Sequence, residues 1–249
     1  RHVAEVLSRM KNSGLTLNLS KSVFAVAELD FLGYHIGCNR VQPREKKIAA
    51  LLQYNRPVDR KSLQQFLGLA GYYRRFLPNF SHMSAVLSSL LRKNVEFKWS
   101  DEAEKAFVDL KSRLSTRPIL RPPDFSKEFC MAVDASNVAV GGHLFQVIDG
   151  VEHPICFFSK KLDVHQQRYS TVEKEALGLI LAVRAFSVYF GSTKVTVYTD
   201  HNPLVFLHKM CNHNQKLLRW CLELQQYNLN ICHRPGKDNL IPDLLSRAV

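Results

Sequence analysis

Apolar side chains at Val3, Val6, Leu7 and Met10 recur at helical spacing, and Asn12-Ser13-Gly14 supplies the stop. From Leu15 the period shortens to two (Leu15, Leu17, Leu19, then Val23, Ala25, Ala27). The stretch finishes in Phe31-Leu32-Gly33-Tyr34-His35-Ile36, which predicts short strands joined by turns. Helical spacing returns between Pro43 and about Asn94. Pro43 is expected in a first turn, where its missing N–H is harmless, with Ile48, Leu51 and Leu52 as one stripe. Asp59 is expected to cap a second helix that turns Leu63, Phe66, Leu67, Ala70 and Tyr73 inward and stops at Pro78. Ser81 is expected to cap a third, with Met83, Val86, Leu87, Leu90 and Leu91 inside, and Ser100 opens a fourth over Ala103, Ala106, Phe107, Leu110 and Leu114.

Pro118, Pro122 and Pro123 fall within Arg117–Asp124 and predict a linker at the main domain boundary. Beyond it the pattern predicts strands at Phe129–Asp134, Leu144–Val147 and Pro154–Ser159, then a long apolar helix from Ser170 to Tyr189 and a strand at Val195–Thr199. Helical stretches near Pro203–Lys209 and Gln215–Gln226, a strand at Asn228–Cys232 and a last helix from about Leu240 follow. A three-strand meander followed by alternating helices and strands implies an α/β fold: a mixed sheet with helices on both sides.

Charge changes the picture in one direction. Thirty-four Lys+Arg against twenty-two Asp+Glu give +12, which favours a polyanionic partner. The region from Arg40 to Arg75 holds Arg40, Arg44, Lys46, Lys47, Arg56, Arg60, Lys61, Arg74 and Arg75 against Glu45 and Asp59. A solvated helix face and a surface lying along a phosphate backbone both fit this run; Tyr72 and Tyr73 would add stacking in the second case. No apolar run is long enough to span a bilayer, so no membrane role is expected. Six cysteines without CxxC pairs read as reduced thiols of an intracellular protein, cytoplasmic or nuclear. The spacing of His208, Cys211 and His213 fits no usual zinc pattern. The sequence starts at Arg1 inside a helix and without Met, so a piece of a larger polypeptide is expected.

The candidate chemistry is a set of carboxylates from four separated segments. Asp134 ends one predicted strand and Asp200 another; adjacent parallel strands would deliver both to one sheet edge. Glu175 lies early in the long helix and Asp243 in the first turn of the last one. Clustered acids repel, and divalent cations relieve that repulsion. Oxygen-only ligands suit Mg²⁺, with Mn²⁺ as substitute, and two ions about 3.5–4 Å apart would suit in-line hydrolysis of a phosphodiester. Glu173 competes with Glu175, but Ser170-Thr171-Val172-Glu173 is a capping box, which assigns Glu173 a structural role. His233, in the loop running to Asn239, is placed to relay a proton or help expel the product. Asn239 is also a plausible cap for the last helix, and Pro242 falls in that helix's first turn.

These residues resemble a known family. Phe31-Leu32-Gly33-Tyr34, Phe66-Leu67-Gly68-Leu69-Ala70-Gly71-Tyr72-Tyr73-Arg74-Arg75-Phe76, Trp99-Ser100, Val133-Asp134-Ala135-Ser136, Tyr169 to Glu175, Tyr198-Thr199-Asp200-His201, and Arg234 to Asn239 with Asp243-Leu244-Leu245-Ser246-Arg247 match, in order, motifs of the C-terminal part of gypsy-type LTR retrotransposon reverse transcriptases. The resemblance implies the end of a polymerase palm at 1–40, a helical thumb at 41–95, a connection at 96–126 and a ribonuclease H domain at 127–249. It implies an endoribonuclease that cuts the RNA strand of RNA–DNA hybrids with two metal ions on Asp134, Glu175, Asp200 and Asp243, and with His233 nearby. Lys61, Tyr72, Arg74, Arg75, Arg234, Lys237 and Asn239 would contact nucleic acid. The partners implied are the hybrid or template–primer duplex and the remainder of the reverse transcriptase. A dimer and residence in a retroelement particle are among the arrangements the family allows. The family's polymerase aspartates lie upstream of Arg1, so no polymerisation is expected of this chain alone. Two positions depart from the pattern: Ala139 stands where the family usually has Gly, and His143 where it has a small apolar residue. The competing expectation is a non-catalytic nucleic-acid-binding or scaffold remnant adopted by a host.

Overall fold

The computed structural model describes residues 2–78, 80–116, 119–200 and 215–235. Helix α1 (His2–Asn12) forms as its periodicity predicts. Alternation over Leu15–Ala27 does not produce a strand. Within it lies only a 3₁₀ turn at Leu19–Lys21, and Ala25, at φ 52°, interrupts any extended run. Pairing begins later, in an antiparallel sheet of β1 (Glu28–Phe31), β2 (Tyr34–Gly37) and β3 (Arg40–Pro43). Both connections are two-residue turns with positive φ at each position, Leu32-Gly33 and Cys38-Asn39, the geometry that matches strand twist in tight hairpins.

The helical unit contains α2 (Glu45–Leu52), α3 (Arg60–Tyr72), α4 (Phe80–Met83), α5 (Ala85–Ser89) and α6 (Asp101–Ser115). Pro43 closes β3 instead of entering a helix, because its carbonyl side still pairs with Tyr34; Arg44 becomes the N-cap of α2. Asp59 caps α3 as expected, its carboxylate accepting from Ser62 N at 2.7 Å. The third expected helix is divided at Ser84, whose hydroxyl donates to the Phe80 carbonyl at 2.8 Å, a side-chain bond that competes with regular helix geometry. Ser81 is inside α4, and its N–H donates to Ser159 Oγ of the C-terminal sheet at 2.9 Å.

The proline-rich stretch is not a free linker. Val41 and Leu120 exchange both backbone hydrogen bonds, at 2.8 and 2.9 Å, and Arg121 N donates to the Pro154 carbonyl at 2.9 Å. Leu120 is buried, and one apolar cluster runs from Ile48 through Phe66, Phe107 and Leu120 to Leu224.

The second sheet has β4 (Phe129–Ala135), β5 (Ala139–Ile148), β6 (Val151–Lys161), β7 (Val195–Thr199) and β8 (Leu229–His233) in the order β6-β5-β4-β7-β8. The meander is antiparallel, whereas β7 and β8 run parallel to β4. Helix α7 (Thr171–Phe190) buries Ala176, Leu179, Ile180, Val183 and Phe186 in the cluster that holds Met131, Val133, Leu144 and Val197 of the sheet. Helix α8 (Gln215–Leu224) packs on α7 and is tied to it by two 2.6 Å bonds from Arg184 to Glu223. Cys130, Ala132, Phe145 and Tyr198 cluster apart from that core, at alternate positions along their strands. The helices expected at Pro203–Lys209 and from about Leu240 lie outside the described residues.

Ala139 opens β5 without the left-handed backbone that would strain it; the described non-glycine residues with positive φ are Ala25, Leu32, Cys38, Asn39 and Asp149. Cys38, Cys130, Cys156 and Cys232 are free thiols, whereas Cys221 is disulfide-bonded, which departs from the all-reduced reading. No described helix is long and apolar enough to cross a membrane.

Candidate metal centre

The parallel pairing of β4 and β7 places Ala132 opposite Tyr198. Two residues further on, the strands deliver Asp134 and Asp200 to the same end of the sheet. Gly142 permits the close approach of β5 on the other side, since a Cβ there would stand 3.0 Å from the Ala132 carbonyl oxygen. Glu175 arrives from α7, whose start is fixed by the expected capping box: Glu173 N donates to Ser170 Oγ at 3.3 Å and Ser170 N to Glu173 Oε2 at 2.9 Å. With Glu173 so engaged, Glu175 turns inward.

One carboxylate oxygen from each of Asp134, Glu175 and Asp200 lies within 4.8 Å of the others. Asp134 is 2% and Glu175 5% exposed. Three carboxylates at this separation, two of them out of water, are stable as anions only with compensating positive charge. Their all-oxygen donor set fits a hard divalent cation such as Mg²⁺ or Mn²⁺. The turn after Asp134 is braced by Ser136, which bonds the backbone of Ala139, and by Lys174, whose ammonium donates to Asn137 Oδ1 at 2.8 Å. Neither Lys174 nor Asn137 was singled out from sequence. The position of Lys174 beside Glu175 is the one signal that could have found it.

Asp243, Lys237 and Asn239 lie outside the described residues. His233 is not in a loop: it is the last residue of β8, opposite Thr199, because the parallel ladder extends one residue beyond the expected strand. Its Nε2 is 3.1 Å from the Asp200 carbonyl oxygen. A carbonyl can only accept, so Nε2 is the donor in this contact. Arg234 follows immediately. Its N–H donates to the Thr199 carbonyl at 2.8 Å, its guanidinium pairs with Glu152 at 2.8 Å, and its Cζ lies 4.4 Å from the Tyr198 ring centre.

The remaining candidates sit on the helical unit and are not members of the acid cluster. Lys61 and Arg74 are exposed. Tyr72 stacks on Tyr34 with ring centres 5.3 Å apart, and its hydroxyl donates to the Leu32 carbonyl, so one ring face is already covered. Arg75 donates to the Tyr189 hydroxyl at 2.9 Å and lies over Tyr34, joining the helical unit to α7.

Residues 124–227 match the family described as an RNase H-like domain found in reverse transcriptase. Over 247 residues the chain is 38% identical to the retrovirus-related Pol polyprotein from transposon 412 of Drosophila melanogaster, covering 99% of this chain and 20% of the relative. It is 37% identical over 254 residues to the transposon Tf2-3 polyprotein of Schizosaccharomyces pombe, covering 19% of that protein. The chain thus spans about a fifth of the length of these relatives. Among solved structures it is similar to a foamy viral protease-reverse transcriptase in complex with RNA/DNA hybrid, with a TM-score of 0.78, 19% identity and coverage of 93% of this chain and 32% of that one. A foamy viral structure in complex with dsDNA gives a TM-score of 0.74 at 21% identity, over 93% of this chain and 50% of that one. The five-stranded mixed sheet with its helices is therefore a ribonuclease H-like fold.

Proposed function

We propose that this chain is the end of the palm, thumb, connection and ribonuclease H portion of a retroelement reverse transcriptase, and that it cuts the RNA strand of RNA–DNA hybrids. The similarity to transposon polyproteins along its whole length supports the context. The observation that carries the chemistry is the convergence of Asp134, Glu175 and Asp200 within 4.8 Å from three separate elements. Asp243 would complete the set. The gypsy-type assignment rests on the motif resemblance.

Asp134, Glu175 and Asp200 would hold Mg²⁺, and a pair of such ions supplies activation of water and stabilisation of the leaving oxygen in phosphodiester hydrolysis. The protein's own contribution is positional. Two parallel strands fix two of the acids, the start of α7 fixes the third, and burial of Asp134 and Glu175 keeps competing water out. His233, with its Nε2 hydrogen on the Asp200 carbonyl, presents Nδ1 as the atom that takes up or returns a proton. Lys61 and Arg74 would lie along the duplex backbone, and Tyr72 would offer its uncovered ring face.

The deciding experiment is cleavage of an end-labelled RNA–DNA hybrid by the purified chain with Mg²⁺, beside the same assay in chelator. Metal-dependent scission of the RNA strand alone is expected. Binding without scission at any metal concentration would identify a nucleic-acid-binding remnant.

A further inference from the structure

Arg234 carries two incompatible expectations. The motif resemblance makes it a nucleic-acid contact, whereas the structure pairs its guanidinium with Glu152 and sets it over Tyr198. The guanidinium forms a 2.8 Å ion pair with Glu152 of β6, and its Cζ lies over Tyr198 of β7, 4.4 Å from the ring centre. Its side chain is only 27% exposed. The carboxylate already compensates the guanidinium charge, and the Tyr198 ring lies against the group, which weakens its attraction for a phosphate.

The reach of this contact is unusual. Glu152 is 82 residues away in sequence and belongs to the opposite edge strand of the sheet. The Arg234 side chain therefore runs back over Tyr198 to meet it. Glu152 in turn lies 3.8 Å from the buried His143 ring, and that imidazole and Arg234 together hold its carboxyl below the usual range. Meanwhile the Arg234 backbone N–H continues the parallel ladder to the Thr199 carbonyl. The residue before it, His233, faces Asp200, the residue after Thr199. Arg234 thus has its main chain bonded to the residue before Asp200 and its side chain held by Tyr198 and Glu152.

We propose that Arg234 and Glu152 are positioning residues: their ion pair over Tyr198 holds the end of β8 in place and so fixes the His233 imidazole against Asp200. This rests on the reading of the acid cluster as a hybrid-cutting centre, and it deepens that reading by removing Arg234 from the set of phosphate contacts. Partners one step removed from a metal centre commonly affect activity tenfold or more, because they orient the groups that act.

The test compares wild type with Glu152→Gln, Arg234→Gln, Arg234→Lys and the Glu152→Gln/Arg234→Gln double variant, all in the full chain. Each Gln variant should lower kcat for hybrid cleavage about tenfold with KM unchanged, and the double variant should be no worse than either single one. Arg234→Lys should recover part of the loss. Hybrid affinity should keep its wild-type salt dependence in every variant. A phosphate contact behaves otherwise: Arg234→Gln would flatten the slope of log K against log[salt] by about 0.9 and Glu152→Gln would be silent. Either of those results overturns the proposal. If wild type itself cuts no hybrid, the proposed function fails, and positioning is then read from the His233 ring resonances by NMR. A shift in Glu152→Gln sustains the positioning role, and an unmoved ring removes it.

Discussion

Asp134 and Asp200 stand level with one another because the register of β4 on β7 pairs Ala132 with Tyr198, two residues before each acid. This parallel register, between strands separated in sequence by two strands and a 20-residue helix, brings together two anions that would otherwise repel. A single neutralisation should separate their chemical and structural roles. Asp134→Asn is expected to retain less than about a tenth of wild-type cleavage, since one lost ligand charge cripples metal binding. In metal-free buffer its thermal midpoint should be unchanged or higher by a few degrees, about 2–4 °C for each kcal/mol of relieved repulsion. Calorimetry in chelator and in Mg²⁺ checks both parts: a midpoint that rises with Mg²⁺ as much in the variant as in wild type would remove Asp134 from the site.

Glu173 and Glu175 are near neighbours with opposite assignments. Glu173→Gln keeps an acceptor for Ser170 N and loses the 3.1 Å charge pair with Lys216. A modest stability loss of up to about 1 kcal/mol is expected, with cleavage nearly intact. Glu175→Gln should be inactive at wild-type stability or above. Reversed phenotypes in a paired cleavage and denaturation series would transfer the ligand role to Glu173.

On the helical unit the exposed cations should divide from the anchored one. Lys61→Ala and Arg74→Ala are expected each to reduce the slope of log K against log[salt] for hybrid binding by about 0.9, without loss of stability. Arg75→Ala should instead destabilise the chain, because it abandons the Tyr189 hydroxyl at the junction of the two units. Equal slopes for all three variants would leave the unit without a backbone-tracking role.

His143 predicts a pH effect with a definite sign. Its ring is 1% exposed, lies between Phe145 and Phe157 and makes no hydrogen bond, and burial pushes its pKa below the usual 6.5. The unfolded chain therefore takes up this proton first, so stability is full above about pH 6.5 and falls as the pH drops below it. Glu152, with its pKa lowered, adds a further loss only below its unfolded value of about 4.5. His143→Leu should flatten stability between pH 6.5 and 5, because the group whose burial depresses its protonation is gone. Urea midpoints across that range measure it; a variant that keeps the wild-type slope places the titration elsewhere.

Local signals were legible where a short-range rule decides the outcome. The cap at Asp59, the capping box at Ser170, the bounds of β7 and the separation of Glu173 from Glu175 all follow from residues close together in sequence. The parallel placement of Asp134 beside Asp200 could be read because strand order follows from the alternation of elements. Leu15–Ala27 misled because alternation specifies a strand only when a neighbouring strand accepts its hydrogen bonds. Sequence alone puts His233 in a loop because its pairing partner, Thr199, is remote in sequence. Glu152 was invisible for the same reason: nothing near it announces an arginine 82 residues away. Lys61 and Arg75 carry the same charge, and only the tertiary contact with Tyr189 tells them apart.

The Val41–Leu120 exchange and the Arg121–Pro154 bond make the proline-rich stretch a rivet between two sheets. Such a stretch has no slack to absorb rotation. A tilt of the helical unit on a bound duplex would reach β6 as shear along Pro154, close in sequence to Glu152. Force applied at the first half of the chain is thereby delivered to the strand that anchors Arg234. Lengthening this segment by a few glycines would release this tie alone, and the Ser81–Ser159 and Arg75–Tyr189 bonds would still link the two halves.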